Sequence, residues 1–101
     1  MSVIVGIRLD VDPARFEEVI AANAETVKSI SERGRSMGAI HHMFLAGDGV
    51  VMVTDEWDTA EHFQAFWEES GAAIGPLMAQ AGVTNQPEPT FMRPLDTADR
   101  F

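Results

Sequence analysis

The stretch AIHHMFLAGDGVVMVTDEW, residues 39–57, constrains the fold more than any other part of the chain. Two apolar, partly β-branched runs, 38–46 and 50–57, flank Gly47, Asp48 and Gly49. Asp-Gly is the usual pair of a tight type I′ connection, so the runs are expected to form an antiparallel hairpin. The turn also sets the register. It places His42 opposite Asp55, His41 opposite Glu56 and Phe44 opposite Val53. Because side chains alternate along a strand, Ile40, His42 and Phe44 share a face with Val51, Val53, Asp55 and Trp57. His41, Met43 and Leu45 share the opposite face with Val50, Met52, Thr54 and Glu56.

Upstream, SVIVGIRL (2–9) reads as a strand. Asp12 is placed to cap a helix with Pro13 at its first position, where the missing N–H costs nothing. Phe16, Val19, Ile20, Asn23, Val27 and Ile30 recur at helical spacing, and Gly34 and Gly38 are expected to end that helix. Downstream, Asp58 and Glu61 have the spacing of a capping box ahead of a second helix lined by Phe63, Phe66, Trp67 and Ser70. Gly71, Gly75 and Pro76 are expected to interrupt it, leaving PLMAQAG as a short continuation closed by Gly82. TNQPEPTFMRPL reads as a last strand that Pro87, Pro89 and Pro94 confine to a sheet edge.

The resulting order, β-α-β-β-α-β, predicts an α+β, ferredoxin-like antiparallel sheet with two helices on one face. The chain has 101 residues, enough for one domain, expected over 1–95 with 96–101 as a C-terminal tail. The face carrying Val51, Val53 and Trp57 is the more apolar and is assigned to the helices. The other still holds Ile4, Met43, Leu45, Val50, Met52 and Met92. Two helices cannot cover both sides of one sheet, and a patch of this kind is a liability in water. A homodimer with the sheets face to face is therefore expected.

Charge narrows the partners. The net charge is −9 with no cluster of Lys or Arg, which argues against nucleic acid and against anionic membrane surfaces. The apolar runs are too short to span a bilayer. The N-terminal MSVIVGIRLDVD has neither the basic flank nor the cleavage site of a secretory leader, and cysteine is absent, so a cytoplasmic protein is expected. P-loop, GxGxxG, GxSxG and metalloprotease spacings are missing, and no metal site is expected.

The element order, and a tryptophan ending the third strand in DEWDTAEHFQAFWEES, resemble the dimeric α+β-barrel superfamily. The spacing of Trp57, Phe63 and Phe66 is similar to its antibiotic-biosynthesis-monooxygenase-like branch. That resemblance covers about residues 2–95. It implies the fold strongly and the chemistry weakly, because members include cofactor-independent monooxygenases, haem-degrading enzymes, isomerases and proteins without known activity. The haem-degrading members carry a ligand histidine late in the second helix, and the matching position here is Pro76 or Leu77, neither of which can ligate iron. The monooxygenases place their substrate cavity on the helix side, so no cofactor is expected and the ligand is expected to be small and mostly apolar or aromatic.

His41 and His42 point to opposite faces and cannot share a metal or a substrate within one chain. His42, on the helix side opposite Asp55, has two readings. It is a general base whose tautomer the carboxylate fixes, able to take a phenolic or enolic proton so that the substrate carbanion reacts with O₂. Alternatively it is a semi-buried histidine satisfied by Asp55. His41 reads as a dimer-interface residue paired with Glu56. Phe44, Trp57, Phe63, Phe66 and Trp67 either line a flat apolar pocket or simply fill the core. Asn23 interrupts an apolar helix face, and bonds either a ligand or a neighbouring backbone group. Arg8 either pairs with one of sixteen carboxylates or binds an anion, and His62 faces solvent. The functional alternative to a monooxygenase or isomerase is a non-catalytic dimeric binding module.

Overall fold

A computed structural model describes residues 2–101. Strand β1 (Val3–Asp10) leads into helices α1 (Pro13–Ala22) and α2 (Ala24–Met37), then strands β2 (Ala39–Gly47) and β3 (Val50–Trp57). Helix α3 (Ala60–Ala81) and the short strand β4 (Thr90–Met92) complete the chain. The sheet is antiparallel with order β2-β3-β1-β4, the ferredoxin-like arrangement expected from the sequence. The core lies on one face: Val5, Ile7, Leu9, Val51, Val53 and Trp57 from the sheet meet Phe16, Val19, Phe63, Phe66, Leu77 and Ala81 from the helices.

The hairpin register holds from His41↔Glu56 through His42↔Asp55 to Gly47↔Val50. It shifts once, between Ala39 and His41, because Ala39 rather than Ile40 pairs with Trp57. Ile40 is the extra residue of a bulge. The turn is not type I′. That type needs positive φ at both central residues, whereas Gly49 alone takes it (φ 68°) and Asp48 does not.

The first helical stretch ends where expected, with Gly38 as the cap after Met37, but it is broken in two along the way. Asn23 (φ −118°, ψ 34°) closes α1 and opens α2. Its amide Nδ2 donates to the Val19 carbonyl at 2.8 Å and to Gln80 Oε1 at 3.2 Å, which ties the junction to α3. α2 then runs straight through Gly34. A Cβ there would lie 3.4 Å from the Phe66 ring, so this glycine lets the two helices approach. α3 is continuous across Gly71, Gly75 and Pro76, contrary to the expected interruption. Pro76 forfeits one helical hydrogen bond, but Phe63, Phe66, Ser70, Leu77 and Ala81 all bury on both sides of it. Burial of one shared face outweighs the local defect. The cap is Thr59, whose Oγ1 accepts from the His62 N–H at 3.0 Å; Asp58 instead accepts from the Thr59 N–H and from the His62 ring.

The expected last strand is mostly absent. Only Thr90–Met92 pairs with β1, at Gly6 to Ile4. Prolines upstream lack the N–H a ladder needs. A side chain serves instead: Asn85 accepts from the Asp10 N–H at 2.7 Å and donates to the Arg8 carbonyl at 2.9 Å. Arg15 of α1 similarly closes the far end of α3, donating to the Gln80 and Ala81 carbonyls at 3.0 Å. Residues 96–101 are exposed and lie outside the sheet.

Two predictions follow from local geometry. Gly38 sits at φ 132°, and a Cβ there would run into the Asp58 carboxylate. Gly38→Ala should cost about 1–3 kcal/mol, read as an earlier urea midpoint at unchanged slope; an unchanged midpoint would refute the strain. The hydrogen bond from His62 holds the Asp58 carboxyl below its ordinary 3.8. A depressed folded value means its small stabilisation is present above 3.8 and fades as pH falls through that lower value. In His62→Ala the Asp58 carboxyl resonance should titrate closer to 3.8 by NMR.

Candidate functional site

The helices cover β1 and β3 more completely than β2. On the helix side of β2, Ile40 is 50% and Phe44 38% exposed, while Val51, Val53 and Trp57 beside them on β3 are buried. The gap is a cavity of about 530 Å³, within the range of small-molecule sites. Ile7, Leu9, Val53, Asp55 and Trp57 form its floor. Val27, Ile30, Ser31, Gly34 and Arg35 of α2 supply one wall, and Phe63, Phe66, Trp67, Ile74, Leu77 and Met78 of α3 another. Residues 39–44 of β2 form its exposed rim.

One polar unit stands in this apolar surface. His42 Nδ1 lies 2.6 Å from Asp55 Oδ1, and the Trp57 indole N–H donates to Asp55 Oδ2 at 3.2 Å. A carboxylate only accepts, so Nδ1 carries the proton. That leaves Nε2 of a neutral ring as an acceptor, and it has no partner among the described residues. The imidazole is held further by Phe44, ring centroids 4.7 Å apart and edge to face. Asp55 is 8% exposed, whereas the His42 side chain is 42% exposed. The pair therefore presents a rooted carboxylate and an accessible imidazole. The arrangement is chemically able to accept a proton from a ligand in the cavity.

Of the residues singled out from the sequence, His42, Asp55, Phe44, Trp57, Phe63, Phe66 and Trp67 are brought together on the cavity wall. The aromatic members interlock: Trp57 meets Phe63 at 5.5 Å and Phe66 at 5.2 Å, and Phe63 stacks on Trp67 at 5.8 Å. Asn23 stands apart at the α1–α2 junction and is not among the lining residues. His41 pairs loosely with Glu56 at 3.8 Å, Arg8 binds Asp10 at 2.8 Å, and His62, exposed, binds Asp58. The sequence reading missed the α2 wall. Val27 and Ile30 carried a periodic signal, but Gly34 read, with Gly38, as a helix break, and nothing in the pattern marked Ser31 or Arg35. Among the described residues no three His, Asp or Glu side chains cluster as a metal site would, and no helix is long and apolar enough to cross a membrane.

No family model matches the chain, and no curated protein matches it. Solved structures do. A monooxygenase from the gene ActVA-Orf6 of Streptomyces coelicolor, in complex with nanaomycin D, superposes with a TM-score of 0.73 at 16% identity, covering 99% of this chain and 93% of that one. SnoaB, a cofactor-independent oxygenase from Streptomyces nogalater, gives 0.63 at 19% identity over 98% of both chains. A dimeric ferredoxin-like protein from an uncultured marine organism gives 0.67 at 13% identity over 99% and 93%. Across these comparisons nearly the whole chain follows one path, and it has the ferredoxin-like α+β fold that the antibiotic-biosynthesis monooxygenases adopt.

Proposed function

We propose that the cavity binds a small, mostly aromatic molecule and that the protein is a cofactor-independent monooxygenase in which His42 is the base and Asp55 orients it. The observation that carries this reading is the 2.6 Å contact from His42 Nδ1 to a buried carboxylate, which leaves Nε2 free at the wall of an apolar cavity. In that role Nε2 takes a phenolic or enolic proton from the ligand. The aromatic and aliphatic walls hold the flat ring beside the imidazole. The electron-rich anion passes an electron to O₂, the two radicals join as a peroxide anion, His42 returns the proton to give the hydroperoxide, and loss of water from that carbon, which still bears a hydrogen, leaves a new carbonyl. The nanaomycin D complex of the Streptomyces coelicolor enzyme and the cofactor-independent chemistry of SnoaB support the assignment.

The working unit in this reading is a homodimer. Met43, Leu45 and Met92 are 53%, 48% and 45% exposed on the outward sheet face, with Ile4, Val50 and Met52 partly covered beside them. A second copy buries this patch, as the dimeric ferredoxin-like neighbour suggests.

Anthrone, an aromatic ketone with an enolisable CH₂, is a suitable probe. The wild type should accelerate O₂ uptake, and His42→Ala should lower kcat by about 10²–10⁴-fold while anthrone still binds. Unchanged turnover in the variant would remove His42 from the chemistry. Lost thermal stability with no turnover in either protein would assign the His42–Asp55 pair to the sheet and the chain to the non-catalytic binding class. For the dimer, Met43→Glu should convert the wild-type sedimentation coefficient to that of a monomer; a monomeric wild type would overturn the face-to-face assembly.

A further inference from the structure

Arg35 is the one basic side chain, the imidazoles aside, among the described residues that line the cavity. Three other arginines are engaged: Arg8 with Asp10, Arg33 with Glu69, and Arg15 with the carbonyl end of α3. Arg35 has no ion pair and no side-chain hydrogen bond among the described residues, in a chain with sixteen Asp and Glu. The cavity holds one carboxylate, Asp55, and both its oxygens are occupied by His42 and Trp57. Arg35 is therefore a cation at the cavity rim without a partner among the described residues, in a protein that as a whole is strongly negative. Its position in the last turn of α2 suits the helix dipole, but the dipole does not account for the company it keeps. Ser31, one turn earlier at i−4, lines the same cavity. A guanidinium and a hydroxyl thus stand on one helix face at the edge of an otherwise apolar pocket.

We infer that Arg35, with Ser31 beside it, anchors an anionic oxygen group on the cavity's ligand. The site then selects an apolar ring system bearing one carboxylate over its neutral analogue. A planar guanidinium suits this, because it meets a carboxylate through two parallel N–H donors. Arg35 is exposed at the rim, with the apolar wall on one side only, so the attraction is partly screened by solvent and falls with salt. The group works as a handle: it fixes one end of the ring at the α2 rim while the aromatic wall and His42 meet the body. This inference rests on the reading that the cavity binds a small aromatic molecule.

Isothermal titration calorimetry with 2-naphthoate and neutral 2-naphthamide separates the two claims. The wild type should bind 2-naphthoate about tenfold tighter than 2-naphthamide, with the preference shrinking as salt is added. Arg35→Gln should remove that preference and leave 2-naphthamide binding unchanged, Arg35→Lys should keep part of it, and Ser31→Ala should weaken 2-naphthoate alone. Equal affinity for both probes in the wild type, or an Arg35→Gln variant that still prefers 2-naphthoate, would overturn the anchor while the cavity reading stands. Failure of both probes to bind would overturn the two together.

Discussion

The site depends on one buried carboxyl group. Asp55 projects from the central strand β3 into a face whose other buried sheet residues are valine, isoleucine, leucine and tryptophan. Placing a carboxylate there is costly unless its oxygens are hydrogen-bonded. Both are, one by a strand neighbour across the ladder and one by the indole two residues along the same strand. Leaving either oxygen unpaired would cost about 1–3 kcal/mol. The same two bonds orient the imidazole and fix the largest side chain of the core. Chemistry and packing are coupled at this residue, so the environment that makes Asp55 expensive also makes His42 well aimed.

Much of this geometry was legible in the chain. A turn with glycine at its second position set the register from His41 to Gly47, and alternation then placed His42 and Asp55 on the helix side. What was not legible arose where tertiary burial overrode a local rule. Pro76 reads as a helix break, yet α3 continues because Leu77 and Ala81 bury on the same side as Phe63 and Phe66. Gly34 reads as a stop, yet it is the close-approach point against Phe66. Asn23 shows no breaker signal, and its role became visible only with Gln80 beside it. The cap moved from Asp58 to Thr59 because the Asp58 carboxylate is drawn to the His62 ring. The α2 wall of the cavity was not legible either, since Gly38 marked the helix end but nothing in the pattern set Ser31 and Arg35 toward a ligand.

The pocket itself is a consequence of uneven coverage. Three helices close over β1 and β3, whereas β2, an edge strand, keeps Ile40 and Phe44 half in solvent. The bulge at Ile40 falls at the same rim. A bulge bends its strand and increases the local twist, so the irregularity lies where the wall must curve to meet α2. Stability resides in the β1–β3–α3 side of the molecule, and openness in the β2–α2 side.

The junction at Asn23 separates these two duties along a single helical stretch. α1 is fastened to the stable half through Phe16, Val19 and the Arg15 bonds to the end of α3. α2 leaves it at a bend, because Asn23 departs from helical angles while its backbone still bonds Val19 behind and Val27 ahead. The line that α2 takes along the cavity is thus set at two places, the bend at Asn23 and the close approach of Gly34 to the Phe66 ring. Both places lie outside the sheet, so the width of the gap is separable from the acid–base pair beneath it.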